Sequence, residues 1–420
     1  MKLRNNILIM IFVLLPLGFL RAEELSLTLD EALSLALRNN AAVLLKQEDV
    51  QKAKALIAES RAARLPALTA KASLTDTRGL YGKDASQASS QLSVRQYLYK
   101  GAAISNTIKQ NEFFLAATEA GLDAAKQETA LNVKRAFYTL LLAEKFAALN
   151  KSILENTRAH QAAVKERYAF GEASESEVLS MEQSLLSVQD AYDSSLNDLD
   201  SGRAVLNNVL YVQDNVAITL RGEFSYEPQV LAYDEAFLQA MRLRPEIKQY
   251  EAQEKQSEKA VEVAKADSRP SVYASWDYYS STRANVSAAR NNNDYNILGV
   301  TVSWPVFDGW LVKAKVQGAL ADLKQSRLTK EKIIKDIALE VKSTYLELKS
   351  ALSFLQLMRS QVAVYQDALL TVQDKSSAGI ASILDLNDAS LSYQVSLFNQ
   401  EQSIYDYIIA KSRFEKAAGG

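Results

Sequence analysis

Two long segments of the chain, residues 102–169 and 310–376, contain no proline and only one glycine each. Proline interrupts helices strongly and glycine mildly, so each segment is predicted to form one continuous helix. At 1.5 Å per residue such a helix is about 100 Å long, far beyond the usual three or four turns. A helix of this length needs partners along its apolar stripe, which predicts a rod of coiled-coil helices.

The composition excludes several functional classes. The 420 residues include no cysteine and one histidine, His160, which excludes a disulfide framework, a thiolate nucleophile and a Cys/His zinc site. The balance of 48 basic against 50 acidic residues, without basic blocks, argues against nucleic-acid binding. We find no Gly-rich phosphate loop and no nucleophile elbow, and His160 is expected on a solvated helix face. The chain is predicted to be no enzyme and to use no cofactor or metal.

The first residues, 1–22, are predicted to be a secretory signal peptide. Lys2 and Arg4 precede an apolar run over 7–20, which is shorter than the roughly 20 residues of a comfortable membrane span. An uncleaved anchor stays an alternative, because Leu20 occupies a position where a small residue is usual. No later segment is apolar enough for a spanning helix, so the mature chain is either soluble outside the cytoplasm or enters a membrane as β-strands.

The mature chain repeats itself once. Anchors recur in the same order in both halves, first at an offset of 204 and then of 208: Asp30 and Asp234, Pro66 and Pro270, Gly101 and Gly309, Gly171 and Gly379. The four extra residues fall where a loop tip tolerates them. We therefore predict two repeats, 23–232 and 233–420, each with a helix, a β-hairpin and a long helical hairpin.

Each long helix is expected to have two shorter neighbours. Leading helices are predicted over Leu29 to Arg64 and Asp234 to Ser268, and return helices over Ser174 to Tyr211 and Ser382 to Ala417. Each is about half as long as a long helix, so a leading and a return helix are expected to stack end to end beside it.

Residues of about 67–100 and about 271–308 are predicted to form β-hairpins with polar tips at 79–90 and 281–294. Apolar and polar residues alternate in them, and the last strand is expected to run from Leu298 to Val306. Four strands with one apolar face cannot close alone, but three chains supply the twelve strands of a barrel. Four aromatic residues are expected at the membrane interface: Trp276, Trp304, Trp310 and Tyr278. The alternative is a small soluble sheet with an aromatic core.

The two turns between long and return helices carry the most informative polar residues. Gly171 and Gly379 suit a left-handed residue after a helix end. Capping boxes are predicted next, formed by Ser174 with Glu177 and by Ser382 with Asp385. Asp388 lies on the same helical face as Asp385 but has no capping role. Threefold symmetry would turn this pair into two rings of carboxylates, which favour cations and raise one another's pKa.

Three segments and their order resemble the TolC-like outer-membrane efflux protein family: Leu-Thr-Leu-Asp-Glu-Ala-Leu at 27–33, Val-Ser-Trp-Pro-Val-Phe-Asp-Gly at 302–309, and the turn from Gly379 to Asp388. The resemblance covers nearly the whole mature chain. It implies a mainly α, internally duplicated fold with a membrane β-barrel. A homotrimer would build a twelve-stranded barrel among outer-membrane lipid and a helical tunnel across the periplasm. The implied partners are a periplasmic adaptor, or membrane fusion protein, and an inner-membrane RND pump or ABC transporter.

The resemblance also implies roles for single residues. Asp385 and Asp388 match the paired aspartates of the family's constricted acidic entrance, and Glu177 matches an acidic latch partner. Better-known members close this entrance with an Arg and a Tyr, whose places are taken here by Ala381 and Ser376. Another lock would then be needed, with Lys375 or Tyr168 as candidates. The turn residues Gly171, Ser174, Gly379 and Ser382 are implied to contact the adaptor.

The function predicted is that of an outer-membrane exit duct, a passive conduit for substrates driven by an inner-membrane pump. Export of drugs or metals by a proton-driven pump and export of polypeptides by an ABC transporter, as in type I secretion, both stay open. The rival hypothesis is a soluble periplasmic coiled-coil adaptor or structural rod.

Overall fold

The computed structural model describes residues 25–80, 83–213, 218–224, 232–285 and 288–420, and the predicted signal peptide lies outside these ranges. The strands are β1 (Leu25–Leu27), β2 (Ala67–Leu80), β3 (Lys83–Lys100), β4 (Ile218–Leu220), β5 (Ser271–Asn285) and β6 (Ala288–Ser303). The helices are α1 (Leu29–Asn39), α2 (Ala41–Ala62), α3 (Ala103–Ala169), α4 (Glu175–Leu210), α5 (Tyr233–Leu243), α6 (Pro245–Ala266), α7 (Leu311–Ser377) and α8 (Ile383–Ala417).

The two long helices are confirmed. Helices α3 and α7 contain 67 residues each, which corresponds to about 100 Å. Helices α2 and α4 both pack along α3. In the second half, α6 and α8 both pack along α7, and they also contact α3. The expected end-to-end stacking of leading and return helices is therefore present in both halves.

The leading helices are not single helices, which corrects the prediction for 29–64 and 234–268. The backbone of Asn40 is extended, so α1 ends there, and its side-chain oxygen caps α2 by accepting from the Ala42 N–H at 2.9 Å. In the second half α5 ends at Leu243, Arg244 lies between the two helices, and Pro245 takes the first position of α6. Proline suits that position because its missing N–H would have no partner there.

The same positions of the two halves form two apolar cores. Buried pairs at the offsets of 204 and 208 include Ala32 with Ala236, Ala36 with Ala240, Val133 with Val341, and Leu140 with Leu348. Each core lies where a leading helix, a long helix and the end of a return helix meet. Beside the first core, β1 and β4 form a parallel pair that the sequence analysis did not predict. These strands have three residues each, too few for a periodic signal.

A four-stranded antiparallel sheet contains both predicted hairpins, in the order β2-β3-β5-β6. Its strands continue through most of the predicted polar tips, because Thr75 to Thr77 pair with Ala85 to Gln87 and Ser281 pairs with Asn293. The last strand ends at Ser303 rather than Val306. Pro305 has no N–H to donate to a ladder and ends the strand.

Within the described ranges, no helix combines the length and apolarity that a membrane-crossing helix requires.

Candidate functional site

The two turns at the far ends of the long helices have the same backbone geometry. Gly171 and Gly379 are left-handed, with φ of 78° and 74°, as predicted. The N–H of each glycine donates to a carbonyl three residues earlier, and the next N–H donates five residues back, to Arg167 in one turn and Lys375 in the other, at 2.8 Å in both. This Schellman arrangement satisfies the last carbonyls of both long helices.

Both predicted capping boxes are formed. The Ser174 N–H donates to the Glu177 carboxylate at 2.6 Å, and the Ser382 N–H donates to the Asp385 carboxylate at 2.9 Å. These bonds stabilise the ionised carboxylate, so the backbone bond to Ser174 lowers the pKa of Glu177, and the side-chain bond to Ser382 lowers the pKa of Asp385. Capping therefore opposes the upward pKa shift that a ring of carboxylates would cause at Asp385.

Asp388 is exposed on α8, one helical turn after Asp385, which is exposed as well. Ala381 and Ser376, which replace the family's latch residues, contribute backbone atoms to the turn: the Gly379 N–H donates to the Ser376 carbonyl at 3.0 Å. The alternative lock residues Lys375 and Tyr168 both have exposed side chains. The roles of these residues in gating stay predictions.

Large apolar side chains project from the turns into solvent. Phe170 is 75% exposed and Ile380 is 78% exposed in the single chain. The sequence analysis did not single them out, although an apolar residue next to a turn glycine is a usable signal for a contact surface. His160, by contrast, is exposed on α3 as predicted.

The sheet at the other end of the rod has two different faces. Cross-strand partners share a face, and one row across all four strands consists of Leu68, Val94, Trp276 and Leu298. We call this the apolar face. The register shift between Tyr97 and Tyr99 brings Tyr99 opposite Val272, so the irregular end of β3 also contributes an aromatic residue to it.

The opposite face, which we call the charged face, carries Lys71, Arg95, Lys100 and Asp277. The Gln91 amide donates to the Asp277 carboxylate at 3.1 Å and to the Tyr279 hydroxyl at 2.9 Å. The Tyr279 ring stacks on Tyr295 with centroids 5.0 Å apart. The sequence analysis missed this set, and its signal is that the charged residues in the rows from Ser271 to Tyr279 keep to one side of the period-two pattern.

The four predicted interface aromatics occupy two levels. Trp276 and Tyr278 lie in the middle of β5 on the apolar face, whereas Trp304 and Trp310 follow the end of β6. The Trp304 indole N–H donates to the Ser268 carbonyl at 3.1 Å and so ties the strand end to α6. Trp304 and Trp310 are 62% and 66% exposed.

Within the described ranges, no cluster of three or more His, Cys, Asp or Glu is arranged to hold a metal ion. The candidate site consists of two surfaces at opposite ends of the rod: the polar turns and the two-faced sheet.

The chain thus joins a two-faced sheet to long paired helices. Residues 32–210 and 238–420 match the sequence profile of the family described as "Outer membrane efflux protein". The chain therefore belongs to the outer membrane efflux protein family. It is an efflux channel of the outer membrane that extends into the periplasm, and the family is one of channels rather than enzymes.

Solved structures share the fold at low sequence identity. A membrane protein from Pseudomonas aeruginosa superposes with a TM-score of 0.81 and 19% identity, over 93% of this chain and 92% of that one. The CmeC outer membrane channel of Campylobacter jejuni superposes with a TM-score of 0.80 and 15% identity, over 93% of this chain and 85% of that one. The open state of the MtrE outer membrane channel of Neisseria gonorrhoeae superposes with a TM-score of 0.79 and 17% identity, over 93% of this chain and 89% of that one. No curated protein sequence matches the chain.

Proposed function

We propose that three copies of this chain form a continuous duct, which an adaptor joins to an inner-membrane pump and through which substrates pass passively. The observation that carries this proposal is that the chain forms one layer with two open edges. In the sheet the edges are β2 and β6. In the helical part α3 lies in the middle, with α2 and α4 towards one edge and α7 at the other.

An open sheet edge in lipid leaves backbone N–H and C=O groups without partners. Pairing β6 of one copy with β2 of the next removes both edges, and a ring of three copies closes with twelve strands, an even number as in other outer-membrane barrels. The same ring would close the helical layer, because α7 then meets α2 and α4 of the next copy.

The repeat symmetry supports this ring. Inside the chain, Gly101 of the first repeat lies against the end of α6, where an added Cβ would be 2.5 Å from the Ala266 carbonyl oxygen. The equivalent glycine, Gly309, has nothing within 4 Å of an added Cβ in the single chain. The offset of 204 makes Ala62 the equivalent of Ala266. In the ring, Gly309 would meet Ala62 of the next copy as Gly101 meets Ala266.

The apolar face fits a thin membrane. Tyr278 is the register partner of Asn296, eight residues before Trp304, and at about 3.4 Å per residue the two aromatic levels are roughly 27 Å apart along the strand. A strand tilt of about 40° would reduce this to roughly 21 Å across the membrane. Outer-membrane barrels have an apolar band about 25 Å tall between two aromatic girdles. The apolar face would then meet outer-membrane lipid and the charged face would line the lumen.

The turns form the periplasmic end of the proposed duct. Threefold symmetry would make rings of Asp385, Asp388 and Glu177 at the entrance, which favour cations. Exposed Phe170 and Ile380 would meet the adaptor together with the turn residues. Because the family's Arg and Tyr latch is replaced by Ala381 and Ser376, the free duct is expected to be loosely closed.

Neither the turns nor the sheet identifies the partner pump or the cargo. An RND pump exporting drugs or metals and an ABC transporter exporting polypeptides stay alternatives. The exposed cations on the charged face favour a duct over the rival structural rod, since a rod needs no charged face opposite an apolar one.

The first test is membrane fractionation followed by single-channel recording of the detergent-extracted protein. The proposal expects an outer-membrane trimer that conducts ions without a partner, with a high conductance if the entrance is loosely closed. A soluble protein without conductance would support the periplasmic rod instead. A conducting trimer of low conductance would point to another lock at the turns.

The entrance rings are tested by changing both aspartates, Asp385→Ala with Asp388→Ala. We expect cation selectivity in planar bilayers to fall while the trimer persists, because six carboxylates are removed from the narrowest part of the duct. Asp388→Ala alone is the informative control, since Asp388 has no part in the capping box. Unchanged selectivity in both variants would leave Asp385 with only its capping role.

A further inference from the structure

We infer that the outer part of the lumen, lined by the charged face of the sheet, is an anion-preferring exit, opposite in sign to the acidic entrance. The inference rests on the proposed function, because it needs the charged face to look into a closed lumen. It concerns the rows of the sheet from Ser271 to Tyr279, whose side chains the structure describes.

In these rows cations outnumber carboxylates, and all the charged residues lie on one face. Lys71, Arg95 and Lys100 are on the charged face with a single carboxylate, Asp277. The same rows of the apolar face contain no charged residue within the described strands. Three copies would therefore place nine cations and three carboxylates on the lumen wall, at levels from the row of Ser271, beside Lys100, to the row of Tyr279, beside Lys71. We call this set the charged band.

The cations are held against tyrosine rings. The Arg95 guanidinium lies 4.9 Å from the centroid of the Tyr273 ring, and the Lys100 ammonium lies 5.1 Å from that of Tyr97. Tyr97 and Tyr273 meet edge to face with centroids 5.8 Å apart. Cation–π contact fixes the position of a cation without cancelling its charge. The positive field therefore remains directed into the lumen.

Ion pairs in and next to the hairpins use other side chains, such as Arg78 with Asp76 and Lys315 with Asp267. Asp277, the one carboxylate of the charged face in the rows from Ser271 to Tyr279, accepts a hydrogen bond from the Gln91 amide. Rings of Arg and Lys are the usual lining of pores that prefer anions. The ligand class for this charged band is accordingly small anions and solutes with carboxylate, sulfonate or phosphate groups.

The position of the charged band at the outer end of the duct gives it a transport role. A substrate that has passed the acidic entrance meets a field of opposite sign at the outer end, so neither anions nor cations find one continuous attractive path. Anionic groups would be concentrated at the exit, where a wall of fixed cations lowers the electrostatic barrier to their entry into this part of the lumen. The duct is therefore polarised along its length, with selection at both ends.

The test is the reversal potential of the wild-type trimer and two variants under a tenfold KCl gradient centred near 0.1 M. Replacing Lys71, Arg95 and Lys100 with Gln should lower the anion-to-cation permeability ratio by about threefold. Asp277→Asn should raise it, because it removes the carboxylate that opposes these cations within the rows from Ser271 to Tyr279. Both differences should shrink near 1 M KCl, where the screening length is only about 3 Å.

The two variants have opposite expected signs, so a general disturbance of the barrel cannot imitate the result. If the triple variant does not assemble, two single variants replace it. Lys100→Gln should lower the permeability ratio, and Arg95→Lys should leave it unchanged. A conducting triple variant with the wild-type reversal potential would overturn the inference alone. A wild-type protein that forms no conducting trimer would contradict the proposed function.

Discussion

The joints between leading helices show one structural task performed by two different residues. Asn40 donates from its amide to the Val209 carbonyl at 3.0 Å, and Arg244 donates from its guanidinium to the Ala417 carbonyl at 3.3 Å. The donors are 204 residues apart and the acceptors 208, as in the two repeats. Each side chain thus links the break in a leading helix to the end of the return helix.

Arg244 makes a stronger joint than Asn40. Its side chain is 5% exposed and forms ion pairs with Glu246 at 3.0 Å and Glu340 at 2.8 Å, so that α7 is tied to the joint. These partners raise the pKa of Arg244 although burial lowers it, and a guanidinium is charged at any relevant pH. The joint therefore depends on the presence of the charge rather than on pH.

We expect Arg244→Met to lower the free energy of unfolding by about 2–4 kcal/mol, because two carboxylates lose their partner. Both are partly exposed and regain water, which keeps the cost below that of a fully buried pair. Asn40→Ala should cost about 1–2 kcal/mol through the lost cap and carbonyl bond. Thermal unfolding followed by circular dichroism measures both. The control is Arg242→Met, an exposed position two residues earlier, and an equal effect there would contradict the assigned role.

At the scale of elements, α6 and α7 are held together by a charged cluster. Glu254 is 17% exposed and accepts from Lys330 at 2.5 Å and from Arg327 at 2.9 Å. The hydrogen bond from Lys330 is the main reason that the pKa of Glu254 lies below its ordinary value of 4.5. The folded protein therefore binds a proton at Glu254 less readily than the unfolded chain.

This cluster predicts an acid-sensitive contact. A lowered folded-state pKa gives stability that is present above the unfolded pKa and is lost as the pH falls through the folded value. We expect the melting temperature to fall as the pH drops below about 5, and to fall less in Glu254→Gln. The matched control is Glu258→Gln, since Glu258 is 44% exposed and contacts Arg327 alone. Parallel pH profiles for wild type and Glu254→Gln would contradict this account.

The sequence predicts long elements better than their interruptions, for a physical reason. Helices α3 and α7, the hairpin positions and the turns follow from periodicity and from Gly, Ser and Pro acting locally. The break at Asn40 depends on the distant Val209 carbonyl, and the strand extension beyond Gly79 depends on a neighbouring strand whose polar residues read as a loop. The turn residues were found because their chemistry is local. The charged face was missed because only the register brings Lys71, Arg95 and Asp277 together.

At the scale of the whole molecule, equivalent positions of the two repeats have the same backbone geometry but different neighbours within one chain. Gly101 is covered by the end of α6, whereas Gly309 is uncovered. Gly309 is followed by Trp310 in a left-handed conformation with φ of 69°, as Gly101 is followed by Ala102 with the same φ. A bulky residue at positive φ is costly. Keeping this geometry at an uncovered position makes sense if the next copy covers it.

The last prediction separates this contact from ordinary backbone strain. Gly309→Ala should weaken the trimer, because its methyl group would meet the backbone of the next copy near Ala62. Gly171→Ala is the matched control, since Gly171 is also left-handed and has nothing within 4 Å of an added Cβ. Both substitutions cost about 1 kcal/mol of local strain, but only the first also disturbs an interface in the proposed ring. Gly101→Ala is the opposite reference, with a collision inside one chain.

The measurement is the trimer fraction on dilution in detergent, beside the melting temperature of the helices. We expect Gly309→Ala to dissociate at a concentration at least about tenfold higher than Gly171→Ala, which for a trimer is about a hundredfold in the dissociation constant, or about 2.7 kcal/mol per trimer. Gly101→Ala should lower the melting temperature clearly but change the trimer fraction little, because its collision is within the chain. Equal dissociation of Gly309→Ala and Gly171→Ala would mean that Gly309 faces no neighbour. The ring would then have to close through other residues than those that the repeat symmetry selects.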